Sequence, residues 1–429
     1  MQYDEALEYL DDHINLEATA GWVHGLSLDA MTGLVHLLGQ PQLSYPVIHI
    51  TGTNGKGSTG RMISALLVEH GLTVGTYSSP HLERYNERIQ IDGEPLSDED
   101  FAEAVEAVAR VEDLAEHRPS HFEVLTGAAL GWFAQVAVDV AVIEVGLLGR
   151  YDATNVVDAS WAVITNIGRD HTDFEGDWRA KIAGEKAGII KAQSQVIIGE
   201  TDSEVVGILR REPSGPVWQR DVDFSLLANR VAVGGRQVDM ATPHGQYDEV
   251  FIPVFGAHQG DNALVATAVT EAFFDRAIDF EVLEAGFGGL TIPGRAEIAA
   301  SRPLVLLDGA HNPDGAESLA AMFSEEFVPF GQRIVVLGML NSHDPASMLE
   351  AFGFDESDLV IATRPDSPRG RPADEVARLA TEAGLEAEVA PTVAEAMDRA
   401  YSVATEDDMI LVTGSLYTVG EARPLIHPD

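Results

Sequence analysis

The 429-residue sequence contains no cysteine, which excludes a disulfide framework and a thiolate metal site and leaves any metal to oxygen or imidazole ligands. Lysine is almost missing as well. Of 27 basic residues 23 are arginine, and lysine stands only at Lys56, Lys181, Lys186 and Lys191. Positive charge is scarce, since 69 acidic residues leave a net charge of −42; such a surface repels nucleic acid and anionic membranes. No apolar run is long enough to span a bilayer, and the acidic, helix-patterned start MQYDEALEYLDDH is unlike a signal peptide. The sequence therefore predicts a cytoplasmic protein with neither nucleic-acid nor membrane partners. Its charge balance is that of a protein adapted to high salt, because in molar salt the Debye length falls to about 3 Å and repulsion between carboxylates is screened. Raising potassium chloride from about 0.05 M to about 2 M is expected to increase both melting temperature and whatever activity the protein has. A steady decline of both would refute the halophilic reading.

A hydrophobic fraction of 45% is ample for two cores in a chain of this length. Residues 1–40 read as helices, with an amphipathic stretch over 28–38. From 46 to about 198, strand-like runs alternate with helical segments, the pattern of a parallel sheet with crossover helices. The strands fall at 47–50, 73–77, 138–145 and 161–167. Residues 217–255 read as a β-hairpin region with short pieces at 230–233 and 237–240, and a helix is predicted over 262–274. Glycine-rich GFGGLTIPGR, 286–295, reads as an interdomain linker. The alternation then restarts with PLVLLDGAH, RIVVLGM, DLVIATRP and MILVTGS. The fold class is α/β throughout: a parallel-sheet domain with N-terminal helices, 1–290, whose strand-to-helix loop at 51–56 is of P-loop type and makes it the candidate ATP-binding domain, followed by a smaller Rossmann-like α/β domain, 296–429.

The segment VIHITGTNGKGST, 47–59, carries most of the chemistry. An apolar run breaks into a loop with three glycines around Lys56, and a helix follows. Such a loop lays backbone N–H groups from Thr53, Asn54, Gly55, Gly57 and Ser58 against a polyphosphate, with the helix N-terminus behind them and Lys56 on the β- and γ-phosphates. Ligands of a parallel sheet collect beyond the carboxyl ends of its strands, and several polar residues stand there: Ser78-Ser79-Pro80-His81 after 73–77, Glu144 at the end of 138–145, and Asp170-His171-Thr172-Asp173 after 161–167. Singly, Ser79 reads as a turn residue, His171 as an N-cap neighbour and Glu144 as a strand-end acid; together they read as a magnesium environment. The remaining three lysines fall within eleven residues, positions where a compact or deprotonatable amine does what arginine cannot.

The loop departs from the general Walker pattern, with Gly57 after Lys56 and Ile50 in place of the first glycine. GTNGKGST instead resembles the loop of the ATP-dependent Mur ligase superfamily and, within it, of the folylpolyglutamate synthase and dihydrofolate synthase family. YSSPHL (77–82) with NERI (86–89), IEVGLLGRYDATN (143–155), DHTD (170–173), EKAGIIK (185–191), LDGAHNPDG (307–315) and TGSLYTVGE (413–421) resemble that family's segments in the same order. The resemblance implies Lys56 on the phosphates, and Ser79, Glu144 and His171 as magnesium ligands. Lys186 would be the lysine that the family carbamylates, a ligand to a second magnesium. Asn262, Arg295 and Asp308 would contact the nucleotide. Ser78, Pro80, His81 and Leu82 with Asp152, Ala153 and His311 would face the substrates. Leu148 stands where the family usually has glycine, Tyr151 where leucine is common, Glu175 where an apolar residue often follows DHTD, and Ser342-His343-Asp344 where an acid-lysine-acid triplet is usual. GWVHGLSLDAM, 21–31, matches the folate-binding segment loosely.

The resemblance implies a monomeric ligase that uses ATP and magnesium, with potassium as a further cation, to join L-glutamate to a pterin or folate carboxylate through an acyl phosphate. Lys56, His171 and Lys186 would be its catalytic residues. Two other readings stay open: a Mur-type ligase for another acceptor, and a P-loop nucleotide-binding regulator that makes no product. A kinase is a weaker alternative.

Overall fold

Eight strands form the larger sheet: β1 (Val47–Thr51), β2 (Val74–Tyr77), β3 (Ile89–Ile91), β4 (Glu94–Pro95), β5 (Val140–Glu144), β6 (Trp161–Ile164), β7 (Gln195–Ile198) and β8 (Val217–Gln219), in the order β4-β3-β2-β5-β1-β6-β7-β8. From β2 to β8 every pairing is parallel; β3 and β4 add an antiparallel edge. The computed structural model describes residues 1–15, 27–169, 176–327, 331–341 and 345–426. β1 and β5 are buried at every position, as expected of central strands covered on both faces. One face packs against the helices Lys56–Glu69 and Ala257–Phe274, the other against Asp98–Glu112 and His121–Gln135.

His49 interrupts the apolar run of β1. It is fully buried, with Nε2 2.8 Å from Thr154 Oγ1. That hydroxyl gives its own proton to Asp152 Oδ1, so Nε2–H is the donor and Nδ1 carries a lone pair with no hydrogen-bond partner among the described residues. Burial, and then the Lys191 charge, push the imidazole from 6.5 down to about 3. Because the folded pKa is depressed, this contribution to stability is present above pH 6.5 and is lost as pH falls toward 3. In this window the residue should remove about 1.4 kcal/mol of unfolding free energy per pH unit. Denaturant titrations of His49→Gln at constant salt should show a correspondingly shallower acid limb; an unchanged slope would assign the acid sensitivity elsewhere.

The expected hairpin region is a three-stranded antiparallel sheet, β9 (Ser225–Ala232), β10 (Gly235–Ala241) and β11 (Gln246–Ile252), packed on the helix Ala257–Phe274. That helix begins before the predicted 262. The C-terminal sheet is β12 (Glu297–Ser301), β13 (Leu304–Leu307), β14 (Arg333–Gly338), β15 (Leu359–Thr363), β16 (Glu386–Val389) and β17 (Met409–Thr413), ordered β12-β13-β17-β14-β15-β16 and parallel except at β12. Four of these strands match the sequence reading; the edge strands β12 and β16 are additions.

The expected linker is divided. Residues 286–288 end the helix Phe280–Gly288, where a Cβ on Gly286 would fall 2.8 Å from Leu66 Cδ2. Gly286 is thus a close-packing residue of the larger domain, and the connector narrows to 289–296. The two domains are also joined by a buried ion pair from Arg236 of β10 to Glu326, whose side chains are 3% and 1% exposed, and Glu326 Oε1 accepts from the Gly256 amide at 3.0 Å.

Candidate active site

The loop after β1 is fixed from the side of β6. Thr53 N donates to Asn166 O at 2.9 Å and Asn54 N to Asn166 Oδ1 at 2.9 Å. Thr165 Oγ1 and Asn166 Nδ2 donate to Asn54 O at 2.7 and 3.0 Å. Gly55 turns the chain into the helix with φ +80, and a Cβ there would stand 2.4 Å from Asn262 Oδ1, so glycine answers both the conformation and the contact. Lys56 Nζ lies 3.1 Å from Gly52 O and 3.2 Å from Thr53 O.

Glu144, paired in register with Ile50 of β1, faces this loop and is 7% exposed. It accepts from Ser79 N at 3.3 Å. Burial pushes its carboxyl above the usual range, opposed by the Lys56 charge, the Ser79 amide and the Arg295 and Arg61 charges. A buried carboxylate with spare lone pairs beside a serine is a donor set that fits a hard divalent cation. Among the described residues no group of three His, Asp or Glu side chains is gathered as a metal site.

The C-terminal domain supplies the opposite wall. Asp308, at the end of β13, accepts from Ala296 N and Ala310 N at 2.9 Å each. Burial raises its pKa against the Arg295 charge and these amides. Arg295 Nη1 donates to Gly309 O at 3.3 Å, and His311 Nδ1 lies 2.9 Å from the same oxygen. Two contacts cross directly to the phosphate side: Asn312 Nδ2 donates to Asn54 Oδ1 at 3.0 Å, and Arg169 N donates to Asp314 Oδ2 at 2.9 Å.

These walls enclose a cavity of about 770 Å³. Of the residues singled out from sequence, it is lined by Thr53, Asn54, Gly55, Lys56, Gly57, Ser58, Ser79, Pro80, Glu144, Asp152, Ala153, Asn262, Arg295, Asp308 and His311. Ser78, His81 and Leu82 are not among the lining residues, contrary to expectation. Glu87 gathers the amides of Leu82, Glu83 and Arg84 at 2.7, 2.9 and 2.8 Å, turning the loop away after Pro80. Ser78 N instead donates to Arg88 O, His81 Nδ1 accepts from Arg88 Nε at 2.9 Å, and Leu82 packs against the C-terminal core. Lys186 does not line the cavity either. It is 1% exposed beneath the phosphate loop, with Nζ 2.6 Å from Gly52 O. His171 with the rest of 170–175, Ser342-His343-Asp344 and residues 21–26 lie outside the described residues.

Leu148 adopts φ +60, and its carbonyl accepts from Thr51 Oγ1 at 2.7 Å. The left-handed backbone accounts for the glycine usual at that position.

The sequence reading missed Arg179, Arg220 and Arg369 on the cavity wall. Arg179 pairs with Glu200 and Asp202, and Arg220 with Asp261. Arg369 differs. Its guanidinium has the Tyr417 ring 5.8 Å away but no ion pair among the described residues, and its buried Nε has no hydrogen-bond partner. Its place in the loop after β15 is the signal that could have found it, because it obeys the strand-end rule that located the other motifs.

Family models for the Mur ligase middle domain and the Mur ligase glutamate ligase domain match residues 50–270 and 294–416. A dihydrofolate synthase/folylpolyglutamate synthase from Mycobacterium tuberculosis is 38% identical over 445 aligned positions, covering 94% of this chain and 90% of that protein. The structure of Mycobacterium tuberculosis folylpolyglutamate synthase complexed with ADP superposes with a TM-score of 0.91 at 36% identity, covering 100% of this chain and 98% of that one. A bifunctional folylpolyglutamate synthase/dihydrofolate synthase with manganese, AMPPNP and L-glutamate bound gives 0.86 at 28% identity, covering 99% and 98%. A phosphate loop, a strand-end carboxylate and a wall from a second α/β domain thus share one cavity in a chain with full-length relatives of that architecture, and the chain belongs to the folylpolyglutamate synthase/dihydrofolate synthase family of Mur ligases.

Proposed function

We propose that this protein is an ATP-dependent ligase that joins L-glutamate to the carboxylate of a folate-type acceptor, dihydropteroate or a folylglutamate. The observation that carries the reading is the single cavity bounded by the phosphate loop, by Asp152 and Ala153, and by C-terminal residues from Arg295 to His311.

A carboxylate resists attack by an amine until one of its oxygens becomes a leaving group. The acceptor carboxylate attacks the γ-phosphorus of ATP, the bond to ADP breaks, and the amine of glutamate then attacks the acyl carbon, expelling phosphate and losing a proton. Lys56 and the loop amides hold the β- and γ-phosphates and oppose the charge of transfer. Asn262, Arg295 and Asp308 orient the nucleotide from both domains. Ser79 and Glu144 would hold one magnesium ion, and His171 with a carbamylated Lys186 a second; magnesium supplies charge neutralisation between phosphates and carboxylate. The paired domains exclude water from the acyl phosphate.

Arg369 is the guanidinium left to receive a carboxylate of the incoming glutamate, which a planar fork binds in bidentate fashion. Arg369→Met is expected to raise KM for glutamate by about tenfold to a hundredfold while KM for ATP stays within about twofold. Equal changes in both would remove it from the amino-acid site.

Mass spectrometry after incubation with ATP, magnesium, glutamate and each acceptor in molar potassium chloride tests the reading. A product heavier by one glutamyl residue, with matching phosphate release, supports it. ATP turnover without such a product would favour the regulator, and a stable phosphorylated acceptor would favour a kinase.

A further inference from the structure

Lys191 is one of only four lysines and lies outside the cavity lining, so nothing in the chemistry above employs it. Its ammonium is 2.9 Å from Asn155 Oδ1 and 3.1 Å from Asn155 O. With Oδ1 committed to the lysine, the amide must present its NH2 the other way, and Nδ2 donates to Arg150 O at 2.9 Å and Gly188 O at 3.0 Å. Asn155 N in turn donates to Asp152 O at 2.8 Å. Asp152, which lines the cavity, takes Leu147 N at 2.7 Å and Thr154 N at 3.0 Å on its carboxylate. Lys191 therefore closes a chain of contacts that runs through Asn155 to both ends of the segment 147–155.

That segment needs holding, because Leu148 sits at φ +60, a conformation that costs a non-glycine residue about 1–2 kcal/mol and persists only when its surroundings over-determine it. A second rivet joins the same two segments: Arg150 N donates to Glu185 O at 2.9 Å and Arg150 Nη2 to Gly184 O at 2.9 Å. The charge facing Lys191 is mixed, with Asp158 attracting it and Arg150 repelling it, while burial disfavours the ammonium. A compact head that reaches two acceptors of one residue suits this place better than a planar guanidinium.

We propose that Lys191 is a positioning residue that fixes the acceptor-side wall, residues 147–155, through the Asn155 amide, and thereby sets the affinity for the pterin-bearing acceptor. The inference rests on the ligase reading above for its substrate, but not for its structural step.

The test compares wild type with Lys191→Met, which keeps the apolar stem, and with Asn155→Ala and the double variant. Two readouts are taken in molar potassium chloride: steady-state constants with dihydropteroate, and hydrogen exchange of 147–156. KM for dihydropteroate should rise about tenfold in Lys191→Met, with KM for ATP within about twofold, as loss of a charged hydrogen bond converts. Exchange of 147–156 should quicken, and the double variant should be no worse than Asn155→Ala alone. Lower thermal stability with unchanged constants and unchanged local exchange would overturn the proposal, as would equal rises in both KM values. A wild type that ligates no glutamate to dihydropteroate or folate would overturn the ligase reading instead, and the exchange result would still decide whether Lys191 holds the wall.

Discussion

Replacement of Lys56 by alanine is expected to lower kcat by about 10²–10³-fold while the protein remains folded. The side chain opens the helix Lys56–Glu69 at the mouth of the phosphate loop, where the proposed reaction would gather charge as the γ-phosphoryl group moves. Its loss removes two hydrogen bonds to the carbonyls of Gly52 and Thr53, so stability should also fall, by about 1 kcal/mol. A further effect separates this residue from a merely structural one. Glu144 is raised by burial, and the Lys56 charge is the largest influence holding it down. Without Lys56 the carboxyl should take its proton at higher pH, so the acid limb of the kcat/KM profile should move upward. Wild-type turnover in the variant would remove the nucleotide from this loop. A large loss of kcat with an unmoved acid limb would separate Glu144 from the chemistry.

The parts of the fold that could be read from sequence are those whose burial leaves a mark in composition. β1, β5, β14, β15 and β17 are covered on both faces and appear as mainly aliphatic runs, interrupted inside β1 by His49. β12 and β16 sit at sheet edges, and β16 carries glutamate at two of its four positions, so its periodicity is that of a surface loop. The start of the helix Ala257–Phe274 was hidden because its first turns, AHQGDN, are polar by composition. In the fold Gln259 is nonetheless 1% exposed, and its Oε1 accepts from Asn262 Nδ2 at 2.9 Å. Gly286 looked like part of a flexible run, whereas its reason is the Leu66 side chain above it, a tertiary fact that no local pattern carries.

The site divides in the same way. Strand-end residues were legible because topology alone puts them at the ligand edge. Ser78, His81 and Leu82 belonged to the same motif, but the motif serves two purposes: Ser79 and Pro80 reach the cavity, and the remainder is drawn aside by Glu87 to meet Arg88 and the C-terminal domain. Arg369 has no such local mark, since SPRG is turn-forming by composition. What marks it is a missing partner, visible only once the other three arginines lining the cavity are seen to have theirs.

Lys186→Ala is expected to cost about 10²–10³-fold in kcat, recovered in part by formate or acetate, while Lys186→Arg should be as inactive as the alanine variant. The side chain is 1% exposed and directly below the phosphate loop, with Nζ 2.6 Å from Gly52 O. Loss of one proton gives the neutral amine, whose reaction with carbon dioxide forms a nitrogen–carbon bond and releases a second proton, turning the residue from a cation into an anion that retains one N–H. The bond to Gly52 O can therefore survive carbamylation while two new oxygens become available for a hard cation. Arginine would keep the positive charge and the donor but cannot make this change, and alanine removes the nitrogen altogether. A small carboxylate could occupy the space left in alanine and return the oxygen donors, which is why the two variants should separate on rescue. Isotopically labelled bicarbonate should give a carbamate resonance in wild type that both variants lack. An active Lys186→Arg would show that charge and hydrogen bonding suffice, and the residue would then be a cationic support for the phosphate loop.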